Sequence, residues 1–254
     1  MTRIILIASG KGGVGKTTMA ANLATALTRL GANVVVVDAN FSTGNLGLHF
    51  GLDKAECTLH DVLNGRARVD DAVYYHPTGV KFVPMGSKLD DIERLTKKGF
   101  SRAILDLVGR VDIIILDGAA GINDELKKAM EIADEVLIIT NPEIPALIEA
   151  LKTCKASEKQ GVKPLGVLVN RVRRKKYEVT PQNISEFTEL PVVGVVPEDE
   201  GFMQALSDKI PFMISKPNSK TAREINRIAA RILGKEYLYK NNSLLYRVKK
   251  FLGL

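Results

Sequence analysis

The segment Gly10-Lys11-Gly12-Gly13-Val14-Gly15-Lys16-Thr17 dictates the first unit of the fold. It fits G-x-x-x-x-G-K-[ST], in which glycines let backbone N–H groups close around phosphate oxygens. Such a loop needs a strand before it and a helix after it, so that a helix N-terminus faces the anion. The flanks comply: residues 4–8 are a short apolar run of strand character, and residues 16–30 read as a helix. Lys16 is expected to reach the β- and γ-phosphates and the Thr17 hydroxyl to ligate Mg²⁺. Lys11 is additional. So early in the loop, it is poorly placed for its own phosphates but can reach those of a facing subunit.

Strand-like runs alternate with helical stretches along most of the chain. The strand candidates are residues 4–8, 34–38, 80–84, 112–117, 135–140, 165–170 and 192–197. Helices are read at 16–30, 88–108, 123–132, 143–160, 181–188, 199–207 and 218–233. Continuously apolar runs such as Ile113-Ile114-Ile115-Leu116 indicate strands covered on both faces. The expected fold is therefore α/β, a single doubly wound domain with a mostly parallel sheet over residues 1–234. A polar linker, 235–243, and a short C-terminal helix, 244–254, complete the division. Ligands of such sheets bind at the carboxyl ends of the strands. Asp38, Asp117 and Asn170 each follow a strand and share that edge with the glycine loop.

Composition narrows the function classes. At 254 residues the chain is long enough for a substantial core. Cys57 and Cys154 form no C-x-x-C pair, which argues for a reducing compartment and against a cysteine-ligated cluster or structural zinc. His49, His60 and His76 are scattered without metal-ligand spacing. No run approaches the roughly 18–20 apolar residues of a spanning helix, and residues 1–8 do not read as a signal peptide. These features point to a cytoplasmic protein. The formal charge of +7 suggests an anionic surface among its partners, lipid or nucleic acid.

Asp117, at the tip of a buried strand and followed by Gly118-Ala119-Ala120-Gly121, is placed to partner the Mg²⁺; Asp38 ends the second strand similarly. The polar segment after Asp38 can order beside a γ-phosphate and relax after hydrolysis. Together with Ser9-Gly10-Lys11-Gly12-Gly13-Val14-Gly15-Lys16-Thr17-Thr18, these residues resemble the deviant Walker A ATPases of the MinD/ParA family, the MinD branch above all. The likeness spans essentially the whole chain. Asn45-Leu46 and residues 48–51 resemble the first switch, and Asp117 with Ala120-Gly121-Ile122 the second. Thr140-Asn141-Pro142-Glu143, Asn170-Arg171 and Val196-Pro197-Glu198-Asp199 resemble later blocks. The resemblance implies an ATP-dependent homodimer around two nucleotides, with Lys11 crossing to the partner's phosphates. It also implies that Asn170 and the backbone of Pro197, Glu198 and Asp199 hold the adenine.

Two positions depart from the family pattern. A second aspartate, thought to orient the attacking water, is replaced by Asn40. An amide cannot act as an anionic base, so slow hydrolysis is expected. The second switch commonly reads D-x-P-A-G. Here Gly118-Ala119 precede Ala120, and loss of the proline's fixed φ implies a looser turn.

At the C-terminus, Leu244, Leu245, Val248, Phe251 and Leu252 fall on one helical arc, with Lys249 and Lys250 opposite. A cationic amphipathic helix of this kind suits an anionic bilayer surface. The bland alternative is a terminal helix docked on the core. The segment also resembles the membrane-targeting helix of MinD proteins, which implies a peripheral location on the inner face of the cell membrane. The run Arg171-Val172-Arg173-Arg174-Lys175-Lys176 keeps two further readings open, a solvated loop or nonspecific DNA binding as in the ParA branch. A weakly hydrolysing, ATP-clamped adaptor is a third class. The expected function is a MinD-like ATPase that positions the division site or another cell-surface structure. Its protein regulator is unknown: the helix after Glu143 lacks the serine and aspartate expected for the familiar ones.

Overall fold

The computed structural model describes residues 1–86 and 97–237. Among these residues eight strands form one sheet: β1 (Arg3–Ser9), β2 (Val34–Ala39), β3 (Tyr74–Tyr75), β4 (Lys81–Val83), β5 (Ile113–Ala120), β6 (Glu135–Thr140), β7 (Lys163–Val172) and β8 (Val192–Pro197). Their order is β3-β4-β2-β5-β1-β6-β7-β8, and every pairing is parallel except β3 with β4. The helices are α1 (Lys16–Arg29), α2 (Leu59–Leu63), α3 (Lys97–Leu105), α4 (Asp124–Met130), α5 (Ile144–Lys159), α6 (Pro181–Thr188), α7 (Gly201–Ser207), α8 (Phe212–Ser215) and α9 (Lys220–Ile232).

The apolar runs are strands because each residue has a core to enter, whichever way it points. Ile5, Ile7, Val34, Val36, Ile113 and Ile115 pack on one face with Met19, Leu23, Leu27, Ile225 and Ile228 of α1 and α9. Their neighbours Ile4, Leu6, Val35, Val37, Ile114 and Leu116 pack on the other with Phe100, Ile104, Leu126 and Met130 of α3 and α4. Period-two alternation thus divides one continuous hydrophobic stretch between two cores. Helix starts are set by local chemistry. The side chains of Asn123, Thr180 and Ser219 accept from the amides of Leu126, Asn183 and Ala222 at 2.9, 3.2 and 3.0 Å.

Three readings of the sequence change. The strand assigned to 112–117 continues through Gly118 and Ala119 to Ala120, paired with β2 as far as Gly118 and with Ser9 of β1 at Ala120. The segment lacking a proline is therefore laddered strand and not a loose turn. Gly118 suits that ladder, because a Cβ there would sit 2.7 Å from the Ile7 carbonyl. β3, α2 and α8 are too short to show a period in sequence and were not anticipated. The helix read at 88–108 ends earlier, at Leu105 of α3, and its residues 88–96 lie outside the described residues. Leu244, Leu245, Val248, Lys249, Lys250, Phe251 and Leu252 lie outside the described residues, as does the linker from residue 238. Its first residues, however, are tied back: the Lys235 amide donates to Ala230 O at 2.9 Å, and Asn226 Nδ2 to the Tyr237 hydroxyl at 3.3 Å.

One sheet edge is β8, covered by α9. Val193 O accepts from Arg231 Nη1 at 2.6 Å, and Glu224 Oε1 lies 3.5 Å from Val195 N. These side chains occupy groups that an open edge would offer to another strand. Between them, Gly194 lets the helix close on the strand, since a Cβ would lie 2.3 Å from Ile228 Cγ1. Gly194→Ala is expected to destabilise the protein by about 1–3 kcal/mol, the usual cost of overpacking a filled core. Urea unfolding should show a lower midpoint at unchanged slope; an unaltered midpoint would refute the tight contact.

Candidate functional site

β1 delivers its last residue, Ser9, to the centre of the carboxyl edge, and the glycine loop turns there into α1. The turn needs Gly13 at φ 76° and Gly15 at φ 99°, in the left-handed region that glycine alone enters cheaply. Gly15 is constrained twice over. It precedes α1, and a Cβ would fall 2.5 Å from Asn170 Nδ2. Asn170, buried at the end of β7, donates that same nitrogen to Val14 O at 2.7 Å. It therefore clamps the loop from the neighbouring region of the sheet, a role additional to the one the sequence suggested.

The loop's two lysines go opposite ways. Lys16 is 8% exposed and donates to Ser9 Oγ at 3.0 Å, while Ser9 Oγ donates to Lys11 O at 2.8 Å. Burial lowers the Lys16 pKa, and nearby Asp117 offsets part of that. The Lys11 side chain is 44% exposed, with Nζ 3.4 Å from Glu143 Oε2, the residue before α5. An exposed ion pair at that distance contributes about 0–1 kcal/mol, so it holds Lys11 only loosely. Ser9 and Glu143 were quoted in sequence blocks without a role. Neither residue type nor spacing shows that one would bridge the two lysine positions and the other face Lys11.

Asp38 and Asp117 are register partners on β2 and β5 and are both buried. Their surroundings differ. Asp38 Oδ1 accepts from Asn40 N and Oδ2 from Leu46 N, each at 3.1 Å, so its carboxylate gathers the loop after β2. Among the described residues, neither oxygen of Asp117 has a hydrogen bond of ordinary geometry. Thr17 and Lys16 still lie near enough to favour its charged form. Burial raises the Asp117 pKa, and the Asp38 charge raises it further; burial likewise raises Asp38, against its backbone donors. Asn40 is not aimed at the loop. Its Nδ2 donates to Thr43 Oγ1 at 3.0 Å, and its Oδ1 accepts from Thr43 N at 3.3 Å. Glu125 of α4 was missed from sequence: it accepts from the Phe41 amide at 3.1 Å and from the Ser42 hydroxyl.

Beside the glycine loop lies a cavity of about 580 Å³ lined by Gly15, Thr18, Asn170, Pro197, Glu198 and Asp199 among others. The structure thus assembles the residues expected around an adenine. The acidic side chains are engaged elsewhere. Glu198 pairs with Arg173, and Asp199 accepts from Gly201 N at 2.9 Å and Thr221 Oγ1 at 2.8 Å. Part of the backbone is engaged too: Glu198 N donates to Val172 O and Asp199 O accepts from Phe202 N, each at 3.1 Å.

A magnesium nucleoside triphosphate fits this residue set. The orphaned Asp117 oxygens beside Thr17 are hard acceptors suited to Mg²⁺. The positive-φ loop and the N-terminus of α1 present N–H donors for phosphate. When bound, the metal would neutralise phosphate charge. Thr17 and Asp117 would hold it and Lys16 the phosphates, while the cavity would take the nucleoside.

A carboxyl whose pKa is raised by folding contributes most to stability while protonated. That contribution is complete below its unfolded value, near 4, and is lost as pH rises through the folded value. Without nucleotide and metal, Asp117→Asn is therefore expected to be more stable than the wild type in mildly alkaline buffer, by about 1 kcal/mol or more. The gap should close as pH falls toward 4. Thermal unfolding of both forms across pH reads this; a gap that is constant with pH would contradict the assignment.

The comparisons agree with this geometry. The model of the CobQ/CobB/MinD/ParA nucleotide-binding domain matches residues 5–212. An uncharacterised ATP-binding protein of Methanocaldococcus jannaschii is 39% identical over 93% of this chain and 90% of its own. The cell division ATPase MinD of Pyrococcus furiosus superposes with a TM-score of 0.88 at 35% identity, over 92% of this chain and 99% of that one. The septum site-determining protein MinD of Pyrococcus horikoshii, solved with Mg-ADP, gives 0.87 at 33% identity over 98% and 99%. The chain belongs to the MinD/ParA family of nucleotide-binding proteins, on its MinD side.

Proposed function

We propose that this protein is a MinD-like ATPase that dimerises on binding Mg·ATP and docks on an anionic membrane through residues 244–254. In that role it would position a division site or another surface structure. The observation that carries this reading is the opposite placement of the two loop lysines. Lys16 is buried within its own site, whereas Lys11 stands at the surface beside Glu143. One turn apart on the adjoining helix, Ile144 and Ile148 are 66% and 42% exposed. A cation held loosely next to exposed apolar side chains suits a face that meets a second copy. There Lys11 would exchange Glu143 for the partner's phosphates.

Membrane residence then follows from valence. A single short amphipathic helix binds weakly and reversibly. Two on one dimer make the second insertion intramolecular, gaining about 10²–10⁴ in avidity. Among the described residues no helix is long and apolar enough to cross a membrane, so attachment would rest on such surface contacts. The run 171–176 is the end of β7 and the turn after it, with Arg171, Arg174, Lys175 and Lys176 exposed, as the solvated-loop reading requires. Glu178 accepts from the amides of Arg173 and Lys175 at 2.8 and 3.2 Å, and Arg173 pairs with Glu198.

With a non-hydrolysable ATP analogue, sedimentation should show dimers for the wild type and monomers for Lys11→Ala. Cosedimentation with phosphatidylglycerol vesicles should require both the analogue and the last twelve residues. Monomers under saturating analogue would end the proposal. A second measurement addresses turnover. Asn40 offers no anionic base and is bound to Thr43, so Asn40→Asp is expected to raise the single-turnover hydrolysis rate about ten-fold or more. Equal, fast rates would show that position 40 does not limit the reaction.

A further inference from the structure

α9 carries a row of cations that the nucleotide site does not use. Lys220, Arg223, Arg227 and Arg231 follow one another at spacings of three or four, on one helical face, and Lys235 continues the row. Opposite its first half stands Arg174, on the turn after β7. Between them lies a groove of about 670 Å³, where five basic side chains face only two acidic ones, Glu198 and Glu224. Those two acids are spoken for, by Arg173 and Arg227 respectively. The side chains of Arg174 and Lys220 are exposed and make no hydrogen bond or ion pair with the described residues. A second concavity, sharing Arg227 and adding Arg231, Lys235 and Tyr237 with one acid, Glu236, carries the row to the end of the described residues.

We infer that this groove and the α9 row are a second contact with an anionic bilayer, taking lipid headgroup phosphates while the C-terminal segment inserts. The inference rests on the membrane reading above, which concerns residues 244–254 only. Position favours lipid over nucleic acid. The row ends where the chain enters residues 238–254, and the six residues 238–243 span at most about 20 Å. An inserted segment 244–254 would therefore hold the root of α9 close to the headgroups, and the row extends from that root. The cations also line one concavity, in which Arg173 and Arg227 are paired with its two acids and Arg174 and Lys220 are in excess. Charge sets the effect: each basic residue near such a surface raises partitioning about five-fold at low salt, fading beyond a Debye length. A contact of this kind adds affinity without deeper insertion, so binding stays reversible.

The test uses the full chain with the non-hydrolysable analogue and the paired variant Arg174→Glu/Lys220→Glu. Neither residue belongs to the nucleotide site, and an acid in the first turn of α9 suits the helix dipole. Partitioning onto vesicles of phosphatidylglycerol and phosphatidylcholine should fall at least ten-fold, with dimerisation unchanged. Arg174→Gln/Lys220→Gln should fall by an intermediate amount, a gradation that misfolding would not produce. A tail-dependent wild type matched by both variants overturns the inference and leaves the membrane reading standing. A wild type that ignores the vesicles overturns both. Loss of retention on a 30-base-pair duplex with vesicle binding unaltered would assign the groove to nucleic acid instead.

Discussion

Because both faces of the sheet are buried, this chain can place its chemistry only where strands end. Parallel strands bring those ends to one edge, and the chain order puts β1 between β5 and β6 at the middle of it. Ser9, Asp38, Asp117 and Asn170 meet there although they are far apart in sequence. The core does more than stabilise the site. Strands locked on both sides cannot slide, since a one-residue slip would exchange the two cores. The positions of Asp38 and Asp117 as register partners are therefore as fixed as the packing of Ile114 and Ile115.

On that rigid edge the charged groups are deliberately unlike. Asp38 satisfies its oxygens with backbone amides and thereby shapes the loop that follows it. Asp117 is left without ordinary hydrogen bonds in the same buried region. A group so placed is uncomfortable alone and gains from a cation, so the free energy of its burial is offset when one binds. Lys16 and Lys11 show the same division between a group committed inward and one kept available.

Much of this was legible in the sequence, for identifiable reasons. The glycine loop has a strict spacing because it needs positive φ at Gly13 and Gly15, and such demands leave a local signature. Apolar runs reveal doubly covered strands because burial on both faces removes any polar alternation. What was not legible depends on contacts between distant segments. Nothing in sequence says that Asn170 clamps Val14, that Glu125 captures Phe41 and Ser42, or that Glu198 and Asp199 spend their carboxylates on Arg173 and Thr221. The reading of Gly118-Ala119 as a loose turn failed similarly. A missing proline removes a local constraint, but pairing with β1 and β2 imposes a stronger, nonlocal one.

The contacts of Glu125 bear on how the site could respond as a unit. α4 follows directly from the end of β5, so Glu125 moves with the segment that carries Asp117. Its bonds to Phe41 and Ser42 join that segment to the loop gathered by Asp38. The two segments are therefore tied twice, by the ladder pairing of β2 with β5 through Asp38–Asp117 and Ala39–Gly118 and by one glutamate further on. A cation arriving beside Asp117 would favour its charged form, against burial and the nearby Asp38 charge. Through Glu125, a shift of the segment after β5 would be passed to the loop after β2, with no contact between that loop and the metal required.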